Sequence, residues 1–322
     1  MWRCLAILDL KMKNRKKDSV FLKTGCNPLI VSGAVLAMVG LGVAEAHAHG
    51  FVGDRFFPPT IATDDPFATD ELLLPSVSYF KGAGSPPTGT TDGGFEFDKE
   101  IFPHFALGIS GDYLHLKPNG EPEANGWDDF TLSAKYQLWQ NDAHEMIFSI
   151  GGEWEIGGSG NNRVGADPTS TFTPTLYFGK GFGDLPDALN YARPFAITGT
   201  LGEDLPTSAE PNNLEWGLAL EYSLPYLQEQ VRDIGLPQPF KNMIPLVEFS
   251  FTSPENRDGG ETTGTINPGV LYESKYFQLG VEAIIPVNDA TGHNVGAVIQ
   301  LEIFIDDIWP KVFGHPLIGS DE

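Results

Sequence analysis

Residues Leu214 to Leu224 read LEWGLALEYSL, and this stretch decides the fold class. Every second position carries a large apolar side chain, and the positions between them carry Glu215, Gly217, Ala219, Glu221 and Ser223. A β-strand turns successive side chains to opposite faces, whereas a helix repeats every 3.6 residues. The stretch therefore predicts a strand with one apolar face and one face of small and acidic residues.

The same two-residue alternation recurs along the chain from residue 72 onwards. It predicts an all-β protein with about twelve strands, within a range of 10 to 14. The other predicted strands are Leu72 to Phe80, Phe95 to Ile101, Phe105 to His115, Phe130 to Leu138, Met146 to Ile156, Phe172 to Phe182, Phe195 to Leu201, Pro245 to Thr252, Ile266 to Glu273, Phe277 to Ile285 and Val295 to Ile305.

Two architectures use such strands: a transmembrane antiparallel β-barrel and a soluble periplasmic β-sandwich. The face opposite the apolar one holds Gly, Ser, Thr, Gln and Glu, with Lys135 nearly alone among cations. A soluble sandwich usually mixes cations and anions on its outer face. The wetted interior of a barrel fits this composition better, so we favour the barrel and keep the sandwich as the alternative.

The connections between predicted strands test the barrel hypothesis independently, because membrane barrels alternate short periplasmic turns with longer outer loops. Residues 82–94, 117–126, 157–171, 203–213 and 253–263 form long loops, while 102–103, 140–143 and 274–275 are short. The connection from Pro225 to Ile244 breaks the rule, because it falls on the short-turn side and has about twenty residues. Either the strand count is off by one or this turn carries a specialised element.

Residues 1–48 have the order of a secretory signal: a basic start, an apolar run from Leu29 to Val43, and small residues at Ala44, Ala46 and Ala48. About 15 apolar residues are short for a membrane anchor, which is the alternative. We expect a signal peptide over 1–46, cut after Ala46 or Ala48. An N-terminal periplasmic segment over 47–71, the β-barrel over 72–305 and a C-terminal periplasmic tail over 306–322 complete the predicted organisation.

Charge and cysteine content narrow the class further. Both cysteines, Cys4 and Cys26, precede the apolar run, so the processed chain has no disulfide. It would carry 13 basic and 40 acidic residues, a net charge of −27 with histidine neutral, which argues against nucleic acid as a partner. We expect the protein to lie in the outer membrane of a Gram-negative bacterium. Its expected partners are the lipid of that membrane, the barrel-assembly machinery and a small-molecule solute. The sequence is equally consistent with a monomer and with a trimer.

Two segments resemble a known family. Asn125 to Tyr136 (NGWDDFTLSAKY) and Leu301 to Pro310 (LEIFIDDIWP) are similar to sequences of the outer-membrane transporter family named after the meta-pathway of phenol degradation. The resemblance implies a porin-like barrel that passes small, often aromatic or hydrophobic, compounds. One departure is the tail after Phe304, because the usual barrel chain ends at an aromatic residue in its last strand.

If the polar face lines a lumen, ten charged side chains line it, and they would attract cations and repel anions. The alternative is an interior filled by hydrogen-bonded side chains with no continuous channel. The predicted lumen residues are Asp112, Lys135, Glu153, Glu155, Glu215, Glu221, Glu248, Glu273, Glu282 and Glu302.

The new N-terminus offers a metal hypothesis. Cleavage after Ala46 would leave His47 first and His49 third, a pattern that wraps a square-planar Cu(II); cleavage after Ala48 would leave His49 to chelate copper with the amino group.

The next stretch, Phe51 to Glu71, has aromatics, Pro turns and paired acids. It suits a plug, a periplasmic cap or a lead-in, and we favour an ordered lead-in because its aromatics favour burial.

Catalysis finds little support in the sequence. The candidate histidines, His104, His115, His144 and His293, lie at strand ends or loops, and Ser110 lacks a complete nucleophile elbow, because Asp112 and not glycine lies two residues after it. The sequence has no phosphate loop, dinucleotide fingerprint, CxxC or HExxH motif. We therefore expect no enzymatic activity, and no cofactor unless copper binds at the N-terminus.

Overall fold

The computed structural model describes residues 50–84, 86–255 and 260–319. The expected signal peptide, residues 1–46, and the candidate copper ligands His47 and His49 lie outside them. The described strands are β1 Phe51–Val52, β2 Arg55–Phe56, β3 Glu71–Lys81, β4 Thr88–Phe102, β5 Phe105–Pro118, β6 Ala124–Trp127, β7 Thr131–Asn141, β8 Met146–Glu155, β9 Thr171–Gly181, β10 Phe195–Pro206, β11 Asn213–Tyr222, β12 Met243–Pro254, β13 Thr263–Glu273, β14 Phe277–Pro286 and β15 Gly296–Ile303.

Twelve of these strands form a closed antiparallel ring. Each pairs with the next along the chain from β3 to β15, except that β5 pairs with β7 and carries β6 as a short extra strand. The ring closes where β15 pairs with β3, for example Ile299 opposite Val77. The predicted barrel of twelve strands is confirmed, and the alternative of a two-sheet sandwich is wrong.

Side chains alternate between the two faces of the wall as the sequence predicted. On β11, Trp216 and Leu220 are exposed on the outside, while Gly217, Ala219 and Glu221 are buried inside. The same holds around the ring, where most exposed large side chains on strands are apolar, among them Val77, Ile109, Leu132, Ile150, Leu176, Leu201, Val281 and Ile299. An apolar belt of this extent is typical of a surface that contacts lipid.

Because the ring has an even number of strands, the start of β3 and the end of β15 lie at one end, here called the terminal end. The connection from Tyr222 to Met243 lies there and contains helical turns at Leu224–Tyr226, Leu227–Val231 and Phe240–Asn242. It is the specialised element and not a miscounted strand. At the opposite end several strands extend into predicted loops, among them β4, which already begins at Thr88, and β10, which continues to Pro206.

After β15 the chain forms a one-turn helix, Ile305–Ile308, and then returns to the wall. The N–H groups of Leu317 and Ile318 donate to the carbonyl oxygens of Glu100 and Ile101 at 3.0 and 2.9 Å. Among the residues described, no helix has the length and apolar character needed to cross a membrane.

Candidate functional site

The N-terminal segment Gly50–Asp70, here called the plug, lies inside the barrel. Its contacts are with inward-facing wall residues on both sides of the ring: Pro59 accepts from Gln278 Nε2 on β14 at 2.7 Å, and Pro66 accepts from the Ser149 hydroxyl on β8. The periplasmic assignment of residues 47–71 stays a prediction, and their described part lies among inward-facing wall residues. The physical reason is that Phe57 and Phe67 find an apolar cluster with Ile147 and Ala196 on the inner wall.

One wall carboxylate holds the centre of the plug. Glu248, fully buried on β12, accepts hydrogen bonds from the backbone N–H groups of Ile61, Ala62 and Thr63 at 2.9, 2.9 and 2.7 Å. Hydrogen bonds to a charged acceptor are stronger than those between neutral groups. Three of them satisfy one turn of plug backbone that would otherwise be buried without partners.

Two glycines of the inner wall make room for this turn. A Cβ on Gly217 would lie 2.9 Å from Thr63 Oγ1, and a Cβ on Gly280 would lie 2.6 Å from Ile61 Cδ1. Both distances are below normal van der Waals contact, so any larger side chain would push the plug away. The small residues of the inner face therefore allow the plug to pack closely against the wall.

Lys135 on β7 ties the plug to the opposite wall. Its ammonium lies 2.9 Å from Asp64 Oδ2, donates to the carbonyl oxygen of Asp65 at 3.0 Å, and lies 4.9 Å from the centre of the Tyr177 ring. The ion-pair partner of Lys135 is thus an aspartate of the plug.

A buried ionic cluster fixes the start of the plug at the terminal end. Arg55, only 1% exposed, lies 3.2 Å from Glu145 and donates to the carbonyl oxygens of Arg193 and Pro194. Its guanidinium stacks 3.7 Å from the Tyr226 ring centre, and the Tyr226 hydroxyl donates to Glu145 at 2.8 Å. The cluster joins the plug to three separate turns of the terminal end.

Burial raises the pKa of the Tyr226 phenol well above its ordinary value, and the hydrogen bond to Glu145 adds to the shift. Sequence reasoning did not single out this cluster. The sequence nevertheless contains a signal for such a cluster, because Arg55 is a lone cation among Phe51, Phe56 and Phe57. A cation buried with aromatic neighbours needs an acidic partner and hydrogen-bond acceptors.

Between plug and wall lies a cavity of 180 Å³, here called the acidic chamber. No basic side chain contributes to its lining within the described chain, whereas seven carboxylates do. They are Asp64 and Asp65 of the plug and Glu71, Glu96, Glu153, Glu215 and Glu302 of the wall. A chamber with this lining carries a strongly negative potential.

The ten side chains predicted to line the lumen all sit on inward-facing strand positions. Glu153, Glu215 and Glu302 line the acidic chamber, Glu248 and Lys135 bind the plug, and the strand register and burial pattern turn the remaining five to the same side. Those five are Asp112, Glu155, Glu221, Glu273 and Glu282. Their role in ion preference stays a prediction. Sequence reasoning missed four chamber acids: Glu71, Glu96, Asp64 and Asp65.

The histidines considered for catalysis lie in polar surroundings near strand ends. His144 lies 2.9 Å from Asp184 at the terminal end, and this hydrogen bond lowers the pKa of the Asp184 carboxyl. His115 and His293 lie near Glu123 and Asp289. Across residues 50–84, 86–255 and 260–319, no group of three or more His, Cys, Asp or Glu is placed to hold a metal ion. Absence of enzymatic activity stays a prediction.

Comparison with known proteins shows the fold and not the family. No family model and no curated protein sequence matches the chain. Among solved structures, an outer membrane channel from Pseudomonas putida F1 superposes with a TM-score of 0.53 at 11% identity, over 77% of this chain and 100% of that one.

Two further solved barrels are similar at lower scores. The KdgM porin has a TM-score of 0.45 at 10% identity, over 72% of this chain and 98% of its own, and an outer membrane phospholipase A from Escherichia coli has 0.37 at 8%, over 74% and 97%. The closed barrel fold is shared with the outer membrane channel from Pseudomonas putida F1. The resemblance to the phenol meta-pathway transporters is not confirmed at the level of the family.

Proposed function

We propose that this chain is an outer-membrane channel or transporter for small molecules, which pass through an acidic lumen that the plug closes. The observation that carries the proposal is the closed twelve-stranded ring with an apolar outside and a charged inside. A soluble protein would not leave so many large apolar side chains exposed around its circumference. The apolar belt and the barrel fold support location in the outer membrane of a Gram-negative bacterium.

The charge of the lumen supports a preference for cations. Nine of the ten predicted lumen residues are acidic, and the single cation, Lys135, is engaged by the plug. A pore lined by fixed carboxylates attracts cations and repels anions. The phenol meta-pathway resemblance adds aromatic or hydrophobic compounds as candidate solutes, and a solute that is both organic and cationic would satisfy both lines of reasoning.

Planar-bilayer recording tests the channel and its selectivity together. The purified protein should conduct, with a reversal potential in a KCl gradient that indicates cation preference. Glu221→Gln and Glu282→Gln, which replace two buried inner-wall carboxyl groups, should reduce that preference, while Glu210→Gln on an outer loop should not. An unchanged reversal potential in both variants would remove these acids from the mechanism, and absence of conductance under all conditions would refute the channel.

The copper hypothesis remains a separate proposal about the processed N-terminus, resting on His47 and His49. Sequencing of the mature N-terminus identifies the cleavage site, and copper titration then measures binding. A cut elsewhere than after Ala46 or Ala48 would end the hypothesis.

A further inference from the structure

The acidic chamber contains polar groups that the described chain leaves without partners. Both amide atoms of Gln300 and the Oε2 atom of Glu302 have no hydrogen-bond partner there, and both side chains line the chamber at only 2% exposure. A buried polar group without a partner is energetically costly, because it has lost its hydrogen bonds to water. These groups therefore point to something that the chamber holds.

The net charge of the chamber indicates the sign of that ligand. Of its seven carboxylates, Asp64 pairs with Lys135, and for Glu71, Glu96 and Glu302 no ion pair occurs within the described parts of the chain. Like charges confined in a space of low dielectric repel strongly, and a bound cation relieves that repulsion. A cation with several N–H donors would supply the positive charge and donate hydrogen bonds to Gln300 Oε1 and Glu302 Oε2.

The spacing of the acids indicates the shape of the ligand. Leu73 on β3 pairs with Glu302 on β15 and with Glu96 on β4, so the two glutamates flank it on neighbouring strands. Their Cα atoms are then two strand spacings apart, about 9–10 Å. Two glutamates that project from neighbouring strand positions at this Cα separation suit the two ends of an extended ligand better than one small ion.

The volume agrees with an organic ligand. The chamber measures 180 Å³, well above the ~10–15 Å³ that one water molecule needs. Asp64 lines the chamber and keeps 41% of its side chain exposed, so this part of the chamber is accessible to solvent.

We propose that the acidic chamber binds a short aliphatic diamine, with one ammonium at Glu302 and Gln300 and the other toward Glu96. The inference rests on the proposed function, because it names the class of solute that the channel would select. An ammonium group has three donors and no acceptor, which matches an unpartnered carboxylate oxygen and amide carbonyl.

Isothermal titration of the folded, detergent-solubilised protein tests the proposal independently of conductance. Putrescine is the probe, and butane-1,4-diol, n-butylamine and CaCl₂ are the comparison ligands. We expect putrescine to bind at least tenfold more tightly than each of the three. Equal binding of the diol or of butylamine, or preferential binding of Ca²⁺, would overturn the diamine site.

Matched variants locate the site. Glu302→Gln and Glu96→Gln should each weaken putrescine binding at least tenfold, while Glu210→Gln on the outer loop should bind as the wild type does. A difference in gel migration between unheated and boiled samples establishes that each variant is folded. Two chamber variants are used so that the test still holds if one of them fails to fold. Wild-type affinity in both folded variants would contradict the proposal, whether or not the protein conducts ions.

Discussion

The carboxylate of Glu248, on the inner wall, accepts a 2.7 Å hydrogen bond from the backbone N–H of Thr63, at the centre of the plug. The same carboxylate also binds the N–H groups of Ile61 and Ala62. A single side chain of the wall thus satisfies three consecutive backbone donors of another segment, and it is one of the contacts that hold the plug in place.

Glu248→Gln should loosen the plug. The substitution keeps the size of the side chain but replaces a charged acceptor by a neutral amide, and a hydrogen bond to a charged group is worth about 1.5–3 kcal/mol. A loss of this size changes the ratio of open to plugged channels at least tenfold. Single-channel recording should show a higher open probability. Glu210→Gln is the control, and the same open probability in both variants would show that Glu248 does not retain the plug.

A disulfide between plug and wall should lock the channel. Thr63 Oγ1 lies 2.9 Å from the position of a Cβ on Gly217, so a sulfur in its place would lie within reach of a second cysteine. Both natural cysteines fall in the expected signal peptide, so the processed Thr63→Cys, Gly217→Cys variant would contain no other thiol. We expect a bond that lowers conductance and a rise in conductance on reduction. Failure to form the bond in the folded protein would contradict the plug position.

Arg55→Ala should destabilise the barrel more than a surface substitution does. It leaves Glu145 buried without its cation, and breaking a buried ion pair in this way costs about 3–5 kcal/mol. The midpoint of urea unfolding in detergent measures the loss, with Arg163→Ala on an exposed loop as the comparison. The double variant Arg55→Ala, Glu145→Ala should recover part of the loss. Additive losses would mean that the two residues do not act as a pair.

Tyr226→Phe should change how stability depends on alkaline pH. The pKa of this phenol is raised in the folded protein, so above the ordinary tyrosine pKa the unfolded chain has lost the proton while the folded chain retains it. The wild type therefore loses stability as pH rises above about 10, by at most about 1.4 kcal/mol per pH unit. Unfolding at pH 9 to 12 should show a shallower decline for Tyr226→Phe. Parallel declines would show that the phenol titrates normally.

Much of the barrel was predictable from sequence, because each wall strand faces two different environments. Residues 214–224 show why: an alternation that places Trp216 and Leu220 outside must place Glu215 and Glu221 inside. All twelve predicted segments correspond to ring strands. Some strands are longer than predicted, because Gly-rich or polar stretches such as Thr88–Gly94 continue the hydrogen-bonded pairing with the neighbouring strand. Local pattern could not locate those ends.

The plug and the chamber were less accessible to sequence reasoning. Both depend on contacts between residues far apart in the chain, such as Thr63 with Glu248 and Arg55 with Glu145. The plug has two very short strands and no sustained periodicity, so its burial is set by the space that Gly217 and Gly280 leave and not by its own pattern. The acids of the plug could not be assigned to the lumen for the same reason.

Quenching of tryptophan fluorescence by brominated lipid tests most directly whether the outer face of the barrel contacts acyl chains. The five tryptophans that follow the expected signal peptide, Trp127, Trp139, Trp154, Trp216 and Trp309, are 37–54% exposed. In vesicles of brominated phospholipid we expect strong loss of emission relative to vesicles of the unbrominated lipid, since bromine quenches on contact. Equal emission in the two kinds of vesicle would contradict a membrane-spanning barrel.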